Sequence, residues 1–312
     1  MSEPDPQPGQ EEEQQQSLAR IEQGGIPLSA ERRLSELRTL KGTGESGGAG
    51  SFTSDLSVNG FALCHQLGLK PLSQVMGSSI YQMGYQSSWG NMGYGGSMLF
   101  ELDTLSEALN EVRSRALVRL GEEARHVGAD AVVGVQTRAG ESQLDTGGLA
   151  LEHMVLGTAV RREGARAKHP VLTELSVSEY AMLVRGGFEP LGIVAWSAVF
   201  FTSYVFGGMM AGGGGAFTMG VQSFELREFS QAIYSAREAV MQRITGQASA
   251  LGASGVVGMN IGHTVRPQSL GGGVGMREIR GMMVTFTAVG TAIRQGDDHT
   301  IPAPKTTIDL FG

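Results

Sequence analysis

Asp55–Tyr85 reads DLSVNGFALCHQLGLKPLSQVMGSSIYQMGY, and Glu174–Tyr204 reads ELSVSEYAMLVRGGFEPLGIVAWSAVFFTSY. The two stretches align without a gap and share ten of 31 positions, among them Ser57/Ser176, Gly68/Gly187, Pro71/Pro190 and Tyr85/Tyr204. Farther along, Ser106–Gln136 aligns on Ser230–Asn260, again with ten identities in 31, and Gly157-Thr-Ala-Val-Arg161 answers Gly290-Thr-Ala-Ile-Arg294. Three blocks in the same order, with length differences confined to Gly-rich stretches, mark a tandem duplication.

Each copy checks the reading of the other. Ser57 and Ser176 are suited to cap a short helix that ends at Gly68 and Gly187. Pro71 and Pro190 then open apolar runs (Leu72–Tyr81, Leu191–Val205) that read as strands. After a Gly-rich loop, apolar residues at 105, 109, 112, 116, 120, 124 and 127 keep the spacing of one helical face, and copy two repeats it 124 positions later. Thr104-Leu-Ser-Glu107 has the form of a capping box for that helix. Gly128 and Gly252 stand where a helix ends. Ala131–Val135, Val256–Ile261, Met154–Val160 and Met283–Ile293 read as the remaining strands. A long helix with one apolar stripe needs a sheet to cover it, so the expected class is α+β: two tandem two-layer units, each a mostly antiparallel sheet on one long helix.

The expected organisation is a mostly disordered acidic segment over 1–50, repeat 1 over 51–165, repeat 2 over 170–295 and a flexible tail over 296–312. Within the first segment, Pro27–Leu40 has helical spacing of Leu34, Leu37 and Leu40. The chain has 312 residues and a net charge of −7, and the acidic ends leave a nearly neutral body with no basic footprint for nucleic acid. The lone Cys64 fits a reducing compartment, and Met1–Gln16 has no secretory pattern, so a cytoplasmic location is expected. Leu191–Phe217 is an uncharged run long enough to span a bilayer. Its counterpart Leu72–Gly96 carries many polar residues, which favours a strand and a loop over a membrane helix.

Gly128-Ala-Asp-Ala-Val-Val-Gly134 after an amphipathic helix, followed by a strand ending in Gly157-Thr-Ala-Val160, resembles the YbjQ-like family of putative heavy-metal-binding domains. Gly252-Ala-Ser-Gly-Val-Val-Gly258 and Gly290-Thr-Ala-Ile293 resemble it more loosely. The resemblance implies a dodecin-like α+β subunit that assembles into rings, typically pentamers of single-domain chains, with a soft or heavy metal as the implied ligand. This chain departs from that pattern as a tandem fusion.

Metal ligation by side chains would draw on Met209, Met210, Cys64 and His65. Thioethers and thiolates suit soft ions, while Met also fills irregular gaps, and the histidines form no paired helical spacing. Arg113/Arg237 and Arg119/Arg243 recur between the copies, as do Tyr85/Tyr204. Surface ion pairing or packing explains such residues in general, but recurrence suggests ligand or intersubunit contacts. No HExxH, CxxC or Walker pattern is present. The expectation is a non-enzymatic oligomeric binding or scaffold protein with an unidentified ligand. The alternatives are a heavy-metal-binding protein using Met and His, and a membrane-surface protein using 191–217. The terminal Ile308-Asp-Leu-Phe-Gly312 could dock on a protein partner.

Overall fold

A computed structural model of the chain describes residues 8–42, 53–83, 99–145, 148–162, 169–203, 225–270 and 279–296. The two copies fold by the same local rules. Helices α3 (Val58–Gln66) and α5 (Val177–Arg185) begin where Ser57 and Ser176 accept the amides of Gly60 and Glu179. Ser176 and Glu179 close a complete capping box. Gly68 and Gly187 follow with φ of 65° and 81°, a region that favours glycine.

Each helix leads into a long strand, β1 (Leu69–Met83) in copy one and β6 (Phe188–Ser203) in copy two. Beyond the loops come the 24-residue helices α4 (Asp103–His126) and α6 (Arg227–Ala250). Hairpins β3 (Ala131–Gln143)/β4 (Leu149–Arg162) and β7 (Gly255–Leu270)/β8 (Ile279–Gln295) close the copies. The Thr104–Glu107 capping box does not form, because α4 already starts at Asp103 with Leu102 at its N-cap and no side-chain cap. Ser106 is committed elsewhere, accepting the amide of Val199 in the other copy.

The fold is α+β with two four-stranded sheets. Their orders are β1-β4-β3-β5 and β2-β6-β8-β7, where β2 is Leu99–Glu101 and β5 is Val171–Leu172. Each short strand belongs to one copy by sequence and to the other copy's sheet by hydrogen bonding. β2 lies antiparallel along Phe200–Thr202 of β6. β5 runs parallel to Ala131–Val132 of β3, and the pairing continues through bonds from Gly134 N–H to the Leu175 carbonyl and from Val135 N–H to the Thr173 carbonyl. A bulge at Val133/Gln136, with Gly134 at φ 63°, turns those amides outward to be shared.

The predicted stripe of α4 covers the first sheet, where Ala116, Leu120 and Ala124 pack with Val75, Val132 and Val155. In copy two Ala236, Val240 and Ile244 pack with Val194, Ala198 and Ala288. Helix and sheet approach most closely at Gly77, where a Cβ would strike the Ala116 carbonyl and stand 2.6 Å from the Leu120 amide nitrogen. A polar pin recurs as well. Glu123 accepts the Met76 amide, while Gln247 accepts the Ala195 amide and donates back to its carbonyl.

The disorder expected over 1–50 is corrected for residues 8–42, which form α1 (Pro8–Glu22) and α2 (Leu28–Gly42). Ile26 and Leu34 are buried in one cluster with Leu120, Ala124 and Val127, and Arg119 donates to the carbonyls of Ile21 and Gly25. A short amphipathic helix gains stability mainly from such a tertiary partner, which local composition does not display. The strand expected at 191–205 is β6, and 204–217 lie outside the described residues. No helix among the described residues is long and apolar enough to cross a membrane.

Candidate functional site

The two copies meet where α4 turns a second row of side chains away from its own sheet. Ser106, Asn110 and Arg113 form that row, and all three are buried. Asn110 Nδ2 donates to the carbonyls of Ser106 (2.6 Å) and Ser197 (2.8 Å), and its Oδ1 accepts from Ser197 N (2.9 Å) and Arg113 Nη1 (2.7 Å). Arg113 Nη2 donates to Ser197 Oγ, which lies 2.7 Å from Thr287 Oγ1. Every bond of Asn110 and Arg113 is therefore made within α4 or to β6. With Arg113 Nε left unpaired and the other groups satisfied, this buried network favours one arrangement of the two sheets.

Arg113 also faces a cleft of about 1020 Å³ between the sheets, lined in part by His153 from β4, Glu174 ahead of α5, and Thr285 and Thr287 from β8. Three buried polar atoms converge there without a hydrogen-bond partner among the described residues: Arg113 Nε, His153 Nε2 and Glu174 Oε2. Such groups cost about 1–3 kcal/mol each when left unpaired, which makes them the candidate partners of a buried water or a small polar molecule.

Electrostatics couples the three. Burial pulls Arg113 down to about 10, against the pull of Glu174, so it remains a cation at neutral pH. Burial lifts Glu174 to about 7 although Arg113 opposes it. Burial, aided by the Arg113 charge, depresses His153 to about 4 and keeps its imidazole neutral. A carboxyl whose folded pKa is raised binds its proton more tightly in the native state. Its stabilising contribution is complete below the ordinary value of 4.5 and fades as pH climbs toward 7. His153 has the opposite sign, disfavouring the fold below its ordinary 6.5. The two partly cancel in the wild type, so the informative quantity is the difference from Glu174→Gln. Relative to that variant, the wild-type melting temperature is expected to fall steadily from pH 5 to pH 7.5. Parallel profiles would show that Glu174 is not buried beside Arg113.

The remaining sequence candidates lie apart. Arg237, the counterpart of Arg113, is exposed on α6. Arg119 clasps the N-terminal helices and the Ser78 carbonyl, whereas its counterpart Arg243 stacks 5.1 Å over the Trp196 ring. Tyr85, Tyr204, Met209 and Met210 fall outside the described residues, as does the C-terminal peptide beyond 296. Cys64 is buried among Leu69, Val133, Val160 and Val177, and burial pushes its thiol pKa up. His65 meets Phe61 edge-on at 5.0 Å.

Burial favours the neutral thiol of Cys64, and burial together with the Arg113 cation keeps His153 neutral, while the Met209 and Met210 thioethers lie outside the described residues. Among the described residues, no three His, Cys, Asp or Glu side chains gather. The sequence reading passed over Asn110, His153 and Glu174 because none is repeated: their counterparts are Tyr234, Phe286 and Asp55.

Two comparisons bear on this geometry. Residues 94–163 and 204–295 match the family YbjQ_1, described as "Putative heavy-metal-binding". A protein of Mycobacterium tuberculosis named "Encapsulin nanocompartment protein Rv1762c" is 35% identical over 258 residues, which span 80% of this chain and 89% of that protein. No solved structure matches the chain significantly.

Proposed function

We propose that this chain, which belongs to the YbjQ family, is a non-enzymatic, self-associating binding protein of the cytoplasm. Its repeats, 51–165 and 170–295, form dodecin-like units that build a ring and hold a small polar ligand between their sheets. The observation that carries the ligand is the convergence of Arg113 Nε, His153 Nε2 and Glu174 Oε2 on one cleft. Arg113 supplies a fixed cationic donor. Glu174, near its midpoint at neutrality, and the neutral His153 can each donate or accept. That set suits a neutral or singly anionic molecule bearing both acceptors and donors. Kinship with a protein named for an encapsulin nanocompartment supports the self-associating part.

Native mass spectrometry of the full chain, purified without chelator or affinity metal, tests both parts. The expected spectrum is a defined oligomer with a constant small-molecule mass per chain. His153→Phe, which installs copy two's own residue, removes that mass and leaves the oligomer. A bare monomer overturns the reading. Integral metal mass would instead put the family's heavy-metal role ahead.

A further inference from the structure

Among the described residues, the contact between copy one and copy two has a counterpart that is exposed. Several residues buried where the two copies meet have exposed equivalents, on the far side of copy two for those of copy one and on the near side of copy one for those of copy two. In the long helices, Asn110 is 9% exposed at the contact and its equivalent Tyr234 is 66% exposed. In the strand that receives the helix, Val199 is fully buried and its equivalent Ile80 is 72% exposed. In the short helix that follows β5, Val177 is 2% exposed and its equivalent Val58 is 85% exposed.

Main-chain pairing shows the same asymmetry. β3 has β5 beyond it, while its equivalent β7 ends its sheet with no strand beyond among the described residues. β6 has β2 along its outer edge, while its equivalent β1 has no strand beyond it among the described residues, only single bonds from Gln74 N–H to the Thr53 carbonyl and from Arg119 to the Ser78 carbonyl. The bulge that presents the Gly134 amide to copy two recurs in β7 at Gly258, with the same φ of 63°. Charge follows too: Arg113 faces Glu174 across the contact, and the equivalents are Arg237 on one face and Asp55 on the other.

We infer that a second copy of this chain docks head to tail, the Tyr234/Arg237 face of one chain receiving the β1 edge and Val58 of the next. Inside the chain the equivalent surfaces already meet, and Ser106, Arg113 and Val177 of that contact recur as Ser230, Arg237 and Val58. The interface is heterologous, and it closes into a ring or runs on as a filament according to the rotation between copies. An exposed Tyr, Ile and Val on one pair of faces is the kind of apolar surface that marks such contacts.

The inference rests on the self-associating reading, and the test separates the two. Tyr234→Asp and Ile80→Asp alter opposite faces at exposed positions, so each full-length variant keeps wild-type circular dichroism. Sedimentation velocity is expected to show an oligomer for the wild type and a monomer for each variant alone. An equimolar mixture retains one intact pair of faces and gives a 1:1 dimer that grows no further. Wild-type assembly in either variant, or a mixture that stays monomeric, overturns the head-to-tail interface while leaving an oligomer in place. A monomeric wild type removes both.

Discussion

A Gly77→Ala chain is expected to melt roughly 6–12 °C below the wild type, a loss of about 3 kcal/mol at the usual 2–4 °C per kcal/mol for a body of this size. The added methyl would strike the Ala116 carbonyl and crowd the Leu120 amide nitrogen at 2.6 Å. Both are backbone atoms of α4, and backbone cannot rotate aside as a side-chain tip can. The whole helix must rise, and with it the packing of Ala116, Leu120 and Ala124 on the first sheet. Gly121→Ala, on the same helix with nothing within 4 Å of the added carbon, is the internal control. It is expected to stabilise by about 0.5–1 kcal/mol, because alanine loses less backbone freedom in a helix. A Gly77→Ala midpoint within a degree of wild type would mean that α4 does not lie on β1 at this point.

Arg113→Met should cost about 3–5 kcal/mol at pH 8, the range found when one partner of a buried charge pair is removed. Methionine conserves most of the volume but withdraws the bonds to Asn110 Oδ1 and Ser197 Oγ and the cation facing Glu174. The cost depends on pH. Without Arg113 the Glu174 carboxyl shifts further up and escapes the penalty by protonating, so the variant should recover part of its loss at pH 5. Adding Glu174→Gln should return a similar part at pH 8, giving a coupling measurable by a double-mutant cycle. The His153 imidazole, relieved of the neighbouring charge, should titrate closer to its ordinary value in an NMR pH series. Equal losses at pH 5 and pH 8, with no coupling to Glu174, would show that the two charges do not share the cleft.

Local chemistry made much of the fold legible. The Ser57 and Ser176 caps, the glycines at 68 and 187 and the apolar stripe of α4 act within a few residues of themselves, so their spacing carries their meaning. The row Ser106, Asn110 and Arg113 has helical spacing too. Its members are polar, however, and read as a solvated flank until β6 supplies their partners. The candidate site was hidden for a related reason. Comparing copies highlights what recurs, and Asn110, His153 and Glu174 do not recur. Arg113 drew notice through its match with Arg237, although only Arg113 is buried. The exchanged strands β2 and β5 are three and two residues long. Main-chain pairing over so few positions leaves no periodic trace.

Those exchanged strands bear on how the chain must be made and cut. A ribosome that has released only copy one has produced a sheet whose β3 edge awaits Val171 and a β2 segment with no sheet to join. The bonds that complete the body join Leu99 to Thr202, about a hundred positions apart, and closures of that span are slow. Until they form, open strand edges invite pairing with other chains. Severing the chain between the copies would yield two fragments that each lack an edge strand, β5 for the first sheet and β2 for the second.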